Sequence, residues 1–353
     1  MRSSGIRSNR ISAVFVAAFS LAVAGDALQA ADPCPSGPTT PGIIEFAVPT
    51  PNSKPLGIVT GPDCALWFTE SAANKIGRIT TSGQITEFEI PTPSSDPSRI
   101  TVGPDGALWF TEFRANKIGR ITTAGVFTEF TVPTPRSFPL GITTGPDGNL
   151  WFTEQVGHKI GRITPAGIIT EFPVPPRGAL TSNPLGIVTG ADGNLWFSEY
   201  FTGRVGRITT EGVITLFTVE PSCCADVGEI TLGPDGNVWF TERWDNRIGR
   251  IMPSGTMEYF ALRSAGYGRG SDFAAYGIAT GPDGALWFTN GPSTIGRLTT
   301  TGSLSEFLIP TPGGYPEIIT AGPDGNMWFT ESAGNKIGRI RVDRSRRRAA
   351  LRN

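Results

Sequence analysis

The hydrophobic positions of this chain recur in short clusters, and the clearest of them is a Trp-Phe pair that occurs seven times. Each pair lies in a short apolar run bounded by turn residues, such as Leu150 to Glu154, which is typical of a buried β-strand. The intervals between successive tryptophans are 42, 42, 45, 43, 48 and 41 residues. The seven tryptophans are Trp67, Trp109, Trp151, Trp196, Trp239, Trp287 and Trp328.

Each repeat divides into four predicted strands, called A to D in chain order, and the third repeat shows them clearly. Strand A covers Gly141 to Gly145, and a Gly-Pro-Asp-Gly turn follows, whose Asp and Gly suit a tight hairpin. Strand B covers Leu150 to Glu154, strand C Lys159 to Thr164 and strand D Ile168 to Val174. A period of about 40–45 residues built only of short strands is typical of a β-propeller with one four-stranded blade per repeat.

The two ends of the repeat region complement each other. The last repeat stops after strand C, at Lys336 to Ile340, and an additional strand D, Ile43 to Phe46, precedes the first repeat. We therefore predict an all-β, seven-bladed β-propeller over residues 42–340, with four antiparallel strands per blade. The N-terminal strand closes the ring, which leaves no inner edge exposed.

Strands C and D also carry a regular pattern of opposite charges. Reflecting strand C onto strand D about the Ser82-Gly83 turn places a strand-C arginine opposite a strand-D glutamate. We interpret these as exposed structural pairs worth a few tenths to ~1 kcal/mol each. The predicted pairs are Arg78–Glu87, Arg120–Glu129, Arg162–Glu171, Arg250–Glu258, Arg297–Glu306 and, across the closure, Arg339–Glu45, whereas Arg207 faces Leu216.

The ends of the chain differ in composition from the repeats. Residues 1–31 combine a basic start, an apolar run from Ile11 to Gly25 and small residues suited to cleavage, which predicts a signal peptide. The run is too short to span a bilayer. We therefore expect an exported protein, periplasmic or secreted, without a membrane span. Residues 341–353 are rich in arginine and are expected to form a basic disordered tail.

Charge and cysteine content narrow the function classes. A formal net charge of −1 argues against a nucleic-acid binder. Four cysteines and one histidine, without ligand spacing, do not indicate a zinc site. Cys34 and Cys64 could approach each other across the closure, while Cys223 and Cys224 could form a vicinal disulfide or remain thiols. We expect a monomer.

The D–A and B–C loops of all blades should share one face around the central channel, here called the upper face. Loops on a rigid scaffold carry function, so the departures from the repeat consensus on this face are the candidate site. Exposed aromatic residues beside arginines are typical of recognition surfaces. We expect a small-molecule, peptide or protein ligand there. The candidate ligand-binding residues are Tyr200, Trp244, Arg99, Glu229 and Tyr315.

Two further features of the upper face allow more than one interpretation. Six blades end strand B with glutamate, and a ring of six carboxylates could hold a cation or could consist of solvated turn caps. The glutamates are Glu70, Glu112, Glu154, Glu199, Glu242 and Glu331, with Asn290 in blade six. The long insertion from Arg263 to Ala275 could be a lid over the channel or a plain surface loop.

The repeats closely resemble those of the virginiamycin B lyase (streptogramin B lyase) family. The resemblance rests on Gly-Pro-Asp-Gly-Asn-Leu-Trp-Phe-Thr-Glu at 145–154 and Asn-Lys-Ile-Gly-Arg-Ile-Thr-Thr at 116–123, and it extends over about residues 42–340. It implies a seven-bladed propeller and a Mg²⁺-assisted elimination that opens the ester of a cyclic depsipeptide without water. Such chemistry needs a base for the α-proton and a cation to stabilise the developing charge.

The family's functional positions are only partly retained in this chain. The resemblance implies histidines at the start of strand A in blades six and seven, where this chain has Tyr276 and Glu317. It implies two glutamates of blade seven at the metal site, where this chain has Tyr315 and Glu331. His158 lies in a B–C loop of blade three, and we expect it to be a turn residue.

Two classes of function follow. The first is an exported propeller that binds a ligand at the channel mouth without the family's histidine-dependent mechanism. The second is a Mg²⁺-assisted carbon–oxygen lyase with Glu317 as base, Tyr276 in the catalytic site and Glu331 as metal ligand. A carboxylate base at neutral pH would require a raised pKa. A quinoprotein-like function, suggested by Cys223 and Cys224, is a third and more distant alternative.

Overall fold

The protein is described by a computed structural model that covers residues 42–220, 226–262 and 275–343, together with Met1. The described chain forms seven sheets of four antiparallel strands, each with the order A-B-C-D. Six sheets use four consecutive strands, and the seventh joins the first strand of the chain to the last three. The predicted all-β, seven-bladed β-propeller is confirmed.

The strands occupy the same four positions in every blade. The A strands, in blade order, are Pro55–Thr60, Pro97–Val102, Pro139–Thr144, Pro184–Thr189, Val227–Leu232, Ala275–Thr280 and Pro316–Ala321. The B strands are Leu66–Glu70, Leu108–Glu112, Leu150–Glu154, Leu195–Glu199, Val238–Glu242, Leu286–Asn290 and Met327–Glu331. The C strands are Lys75–Ile79, Lys117–Ile121, Lys159–Ile163, Arg204–Ile208, Arg247–Ile251, Thr294–Leu298 and Lys336–Ile340. The D strands are Ile85–Glu89, Phe127–Thr131, Ile169–Pro173, Ile214–Thr218, Met257–Ala261, Leu304–Leu308 and Ile43–Ala47.

The core lies between blades, and the Trp-Phe pair explains why. The side chains of successive strand residues point to opposite faces of a sheet, so those of Trp67 and Phe68 lie on opposite faces. Trp67 is fully buried against Ile100 and Phe110 of blade two. Phe68 covers Gly77 so closely that a Cβ there would lie 2.1 Å from its Cζ atom. Each blade therefore packs a tryptophan face on the phenylalanine face of the next.

Strand A is the innermost strand, and the seven A strands contact one another around the propeller axis. The threonine before the end of strand B connects neighbouring blades. Thr69 Oγ1 accepts a hydrogen bond from Gly57 N and donates to Ser98 O of blade two, both at 2.8 Å. Buried backbone groups at the blade boundary are satisfied in this way.

The ring is closed as predicted. The N-terminal strand pairs antiparallel with strand C of blade seven, with Ile44 opposite Arg339 and Phe46 opposite Ile337. Phe46 stacks on Trp328 at 5.6 Å, as the strand-D phenylalanines of other blades stack on their own tryptophans.

The predicted pairing of strand-C arginines with strand-D glutamates is wrong in all blades but one. The C–D turn is centred on Ser82 rather than between Ser82 and Gly83, so Glu87 lies opposite Gly77. Arg78 binds the turn residue Asp63 instead, with Nε 2.6 Å from Oδ2. The predicted pairs at Arg120, Arg162, Arg297 and Arg339 fail in the same way, and Arg207 faces Thr215. Arg250 and Glu258 do lie opposite each other and form an ion pair.

Other predictions on the ends and loops are tested only in part. Residues 1–31 and 341–353 lie almost wholly outside the described chain, as do Cys34, Cys223, Cys224 and nearly all of the insertion from Arg263 to Ala275. Cys64 is disulfide-bonded. No helix among the described residues is long and apolar enough to cross a membrane. His158 is confirmed as a turn residue, because its φ of +58° matches that of Asn116 in the sister loop.

Candidate functional site

The D–A and B–C loops lie together on the upper face, as the strand order predicts. In blade one, Ser71 N donates to Lys54 O at 3.2 Å and Ala72 N donates to Ser53 O at 3.0 Å. The opposite face carries the Asp turns, where Asp63 Oδ1 accepts a hydrogen bond from Trp67 Nε1 at 3.0 Å. The upper face therefore carries the loops that vary between blades, and the opposite face carries the turn that is repeated in them.

A buried ion pair crosses the centre of the ring at this face. Arg99 is the third residue of strand A in blade two and Glu229 the third residue of strand A in blade five, and the two blades are not neighbours. Arg99 is 6% exposed, and its Nε and Nη2 atoms lie 2.9 and 2.5 Å from Glu229 Oε1. Arg99 Nη2 also donates to Tyr276 Oη of blade six at 2.9 Å. Three blades are thus connected across the channel.

The electrostatics of this group favour its ion-paired form. Burial alone would lower the pKa of Arg99, but the charge of Glu229 outweighs burial and raises it. Burial also raises the pKa of Tyr276, so its phenol keeps its proton at neutral pH. The guanidinium has donors engaged with Glu229, Tyr276 and, at 3.4 Å, Ser98 Oγ. Arg99 is therefore a satisfied structural cation in the channel.

A second arginine continues the group toward the channel mouth. Arg243 Nη1 donates to Tyr200 Oη at 3.0 Å, and its Cζ lies 5.7 Å from the Tyr200 ring centroid and 5.6 Å from that of Tyr276. Its Nε atom is buried without a hydrogen-bond acceptor among the described residues. Burial raises the pKa of the neighbouring Asp226 to about 6, although the charge of Arg243 opposes the shift.

The loops of the same face also carry exposed aromatic rings. Trp244 is 41% exposed, Phe201 70% and Tyr315 42%. Phe201 packs edge-on against Tyr200 with centroids 4.6 Å apart. Exposed rings beside a partly buried arginine resemble the anchors of protein binding sites.

Glu317 lies near the same centre, whereas Glu331 does not. The Glu317 carboxylate accepts a hydrogen bond from Ser332 Oγ at 2.7 Å and its charge contributes to the raised pKa of Tyr276. It lines a cavity of about 320 Å³ with Lys54, Leu56 and Ser332. Glu331 is buried inside blade seven, close to Gly314 and Gly334 of the covering loops. Burial raises the pKa of Glu331 to about 8, and the charge of Glu45 adds to the shift.

The strand-B glutamates differ from one of the two alternatives that the sequence allowed. All six are fully buried, so they are not solvated turn caps. Within the described part of the chain, no three His, Cys, Asp or Glu side chains lie together in a group that could hold a metal ion. They belong to the blade interiors rather than to the channel, because residues at the end of strand B are covered by the D–A and B–C loops.

The structure brings together most of the candidate residues but adds connections that sequence reasoning missed. Arg99, Glu229, Tyr276 and Tyr200 form one group, with Glu317 beside it. The sequence marked Arg99 and Glu229 as departures from consensus at the same strand-A position. Their opposite charges could have suggested that they pair. Asp226 and Ser332 carried no such signal, since short polar residues are common in loops.

The fold and this site together define a seven-bladed β-propeller with a polar and aromatic group at one channel mouth. Residues 38–223 and 179–351 match the family model described as the virginiamycin B lyase family. The chain belongs to this family.

Solved structures of the family have the same architecture. The chain is 37% identical to a streptogramin B lyase, with a TM-score of 0.78 over 85% of this chain and 97% of the other. It is 38% identical to a catalytically inactive histidine-to-alanine variant of virginiamycin B lyase from Staphylococcus aureus, solved with quinupristin. That match has a TM-score of 0.78 and covers 85% of this chain and 99% of the other.

Curated relatives align over a shorter stretch. The virginiamycin B lyase of Bordetella parapertussis is 50% identical over 48 residues, which are 13% of this chain and 16% of that protein. The alignment thus spans about a sixth of the curated relatives it matches.

Proposed function

We propose that this protein is an exported virginiamycin B lyase-like propeller that binds a ligand at its channel mouth without the family's histidine-dependent mechanism. The observation that carries the proposal is the Arg99–Glu229–Tyr276 group. It fills the centre of the ring with hydrogen-bonded side chains at the level where strand A begins. A ligand would therefore rest on this group rather than enter the channel. Export is inferred from residues 1–31 alone.

The chemistry of the mouth favours a ligand with carbonyl oxygens beside apolar or aromatic groups. Arg243 has a buried Nε donor that no described residue accepts, and an arginine donor can be satisfied by a carbonyl oxygen. Trp244 and Phe201 offer exposed rings for packing. A cyclic depsipeptide combines both features, and a similar protein has been solved with quinupristin. A small molecule or a peptide of this kind is the proposed ligand; a protein ligand would present the same groups from one of its segments.

The same contacts argue against the family's reaction in this chain. Elimination requires a base, and Tyr276 is a poor one because burial raises its pKa and its oxygen already accepts a hydrogen bond from Arg99. Elimination also requires stabilisation of the developing charge. The Arg99 cation is neutralised by Glu229, and the described residues do not gather a Mg²⁺ site around Glu331.

One observation favours the alternative, a carbon–oxygen lyase with a carboxylate base. Glu317 lines the cavity on the upper face with Lys54, and it is the second residue of strand A in blade seven, where the family pattern has a histidine. In this alternative Glu317 removes the α-proton of a depsipeptide ester, Tyr276 orients the substrate, and Mg²⁺ is needed.

The experiment that separates the two is a paired assay with quinupristin and the purified full chain. Binding is measured by calorimetry and linearisation by mass spectrometry, each with Mg²⁺ and with a chelator. We expect saturable binding and no linearisation. Tyr200→Ala and Trp244→Ala should each weaken binding by about 1 kcal/mol or more, as the loss of an aromatic anchor does.

Asp147→Ala is the matched control, because Asp147 lies in a turn on the opposite face, where its Oδ1 accepts from Trp151 Nε1. It should lower stability and leave the affinity unchanged. Chelator-sensitive linearisation that falls at least a hundredfold in Glu317→Gln would establish the lyase instead. If the protein neither binds nor turns over quinupristin, the depsipeptide ligand is rejected.

A further inference from the structure

The last residue of strand B is a buried carboxyl in six blades, and its surroundings differ between blades. Glu112 of blade two is fully buried, and neither carboxyl oxygen receives a hydrogen bond from a donor among the described residues. The same is true of Glu70 and Glu154 in blades one and three, and of Glu331 in blade seven. A buried carboxylate without donors is strongly unfavourable. These positions therefore need an explanation.

Two charged side chains face Glu112, and they balance each other. Lys117 begins strand C and Glu129 lies in strand D, with Nζ and Oε2 3.1 Å apart. Glu129 also accepts hydrogen bonds from the amide and the hydroxyl of Thr92. The lysine charge is thus already compensated without Glu112. The corresponding pairs are Lys75–Glu87 facing Glu70 and Lys159–Glu171 facing Glu154.

Blade five shows the same position without the strand-D glutamate. Tyr259 occupies the place in strand D that Glu129 has in blade two. Glu242 then accepts a hydrogen bond from Arg247 Nε at 2.8 Å. The corresponding residues of blade four are Leu216, Glu199 and Arg204. In these blades one basic side chain meets one glutamate, and that glutamate is the one in strand B.

Blade six shows the position with a neutral side chain. It keeps a strand-D glutamate, Glu306, and has Asn290 at the end of strand B. Asn290 Nδ2 donates to Glu306 Oε1 at 3.1 Å. A protonated carboxyl also has one donor, which an ionised carboxylate lacks. A neutral donor at this position therefore fits the strand-D carboxylate.

The hydroxyl beside Glu154 is arranged to accept rather than donate. Ser137 is that hydroxyl, and its Oγ donates to Asn116 Oδ1 at 2.9 Å. The Asn116 oxygen is fixed as an acceptor because Nδ2 donates to the carbonyls of Val132 and Thr134. The serine hydroxyl therefore has no hydrogen left to donate to a carboxylate at Glu154. The same three residues around blade one are Glu70, Ser53 and Asn335.

We propose that Glu70, Glu112 and Glu154 are carboxylic acids in the folded protein, and that the O–H group of each donates a hydrogen bond to the strand-D glutamate of its own blade. The acceptors are Glu87, Glu129 and Glu171. Folding then binds one proton in each of these blades. The propeller is consequently a pH-sensitive assembly that loosens when these protons are lost.

The direction of the pH effect follows from the pKa shifts. Burial raises the pKa of Glu112 to about 8, with the charge of Glu129 adding to it, whereas the ordinary value is 4.5. Burial likewise raises the pKa of Glu154 to about 8 and of Glu70 to about 7. Between pH 4.5 and these pKa values only the folded state holds the protons. Each carboxyl therefore lowers the folding constant by up to about tenfold for every unit by which the pH rises.

The strand-D glutamates act in a different range of pH. Burial opposes the ionisation of Glu129, but hydrogen bonds from Thr92 and Lys117 outweigh it and lower its pKa. Its contribution to stability is therefore lost only as pH falls below the ordinary value. Stability should peak just above pH 4.5 and decline toward pH 8.

The test is thermal unfolding from pH 5 to pH 8 of the wild type and of the triple variant Glu70→Gln, Glu112→Gln and Glu154→Gln. We expect the wild-type midpoint to fall over this range and the variant midpoint to fall less steeply, since the variant keeps only Glu331 among the donor-less strand-B glutamates. At pH 8 the variant should melt at or above the wild type, because a glutamine amide can donate as Asn290 does. Glu242→Gln is the matched control: it should lower the midpoint at every pH by removing the carboxylate that Arg247 Nε binds at 2.8 Å, and should keep the wild-type slope.

A second measurement does not depend on the triple variant folding. The infrared spectrum of the wild type at pH 7 should contain the carbonyl band of a buried carboxylic acid, and the single variant Glu112→Gln should lose part of it. The proposal is overturned by an unchanged pH slope in the triple variant, by a lower midpoint than the wild type at pH 8, or by identical carbonyl bands.

Discussion

At the scale of single residues, the most informative feature is the charge buried in the centre of the ring. Arg99 and Glu229 come from blades two and five, so their pairing is possible only once the ring has formed. The desolvation of such a pair offsets much of its attraction, and its net contribution to stability can be small. Removing one partner has a different effect, because it leaves the other charge buried without compensation.

We predict that Glu229→Gln lowers the free energy of unfolding by about 3–5 kcal/mol, the range found when a buried ion pair loses one member. Denaturant unfolding at neutral pH measures the change. The double variant Glu229→Gln with Arg99→Met should recover part of the loss, since it removes the orphaned cation.

The pair of Arg114 and Asp96 provides the control at the same face. Their atoms lie 3.0 Å apart, but the Arg114 side chain is largely exposed. Arg114→Ala should change stability by about 1 kcal/mol or less, as exposed ion pairs do. Equal losses from Glu229→Gln and Arg114→Ala would contradict the assignment of the central pair as buried and unscreened.

At the scale of the blade, the Asp turn joins three strands through one carboxylate. Asp105 Oδ1 accepts from Trp109 Nε1 at 2.9 Å, and Arg120 Nε lies 2.6 Å from Oδ2. Burial alone would raise the pKa of Asp105, but these hydrogen bonds outweigh it and lower the pKa. The corresponding aspartates with lowered pKa are Asp63, Asp147, Asp192 and Asp235.

These turns should therefore weaken in acid. A carboxyl with a lowered pKa contributes stability above its ordinary value of 3.8, and that stability is lost as pH falls through the lowered value. We predict that Asp105→Asn with Asp147→Asn makes the decline of the unfolding midpoint below pH 4 shallower than in the wild type. Glu89→Gln, at an exposed strand end, should leave the decline unchanged. An equally steep decline in the double variant would show that the turns do not titrate as proposed.

Some features of the blade could be predicted from the sequence and others could not. The period of the Trp-Phe pairs predicts the seven blades because both aromatic faces of each sheet must be buried. The pairing of Arg78 was missed because a one-residue shift of the C–D turn moves every partner, and residues such as Ser82 and Gly83 do not specify the centre of the turn. The burial of Glu112 was missed because a glutamate after an apolar run is compatible with both a loop and an interior.

At the scale of the whole molecule, the ring makes residues from distant parts of the sequence neighbours. Arg99 and Glu229 were both marked as exceptions to the repeat, yet their contact depends on the diameter of the ring and on the side chains between them. Loops of the upper face could be located from strand order alone, because antiparallel strands fix which ends lie together. The contents of the channel could not, since they arise from several blades at once.

The closure of the ring leads to the last prediction. The strand Ile43–Ala47 pairs with strand C of blade seven, and Glu45 accepts hydrogen bonds from Lys336 Nζ and from Thr311. Phe46 covers Trp328, which is fully buried. Deleting residues 43–48 would expose this tryptophan and an unpaired strand edge, which is a template for aggregation.

We expect the truncated chain to be insoluble or to melt well below the full chain, with Trp fluorescence shifted toward that of exposed indole. Glu45→Gln is the milder companion change. It keeps the strand and removes the charge that faces Lys336, so it should lower stability by about 1 kcal/mol without exposing Trp328. If the truncated chain melted at the temperature of the full chain, the N-terminal strand could not be what closes blade seven, and another segment would have to occupy that edge.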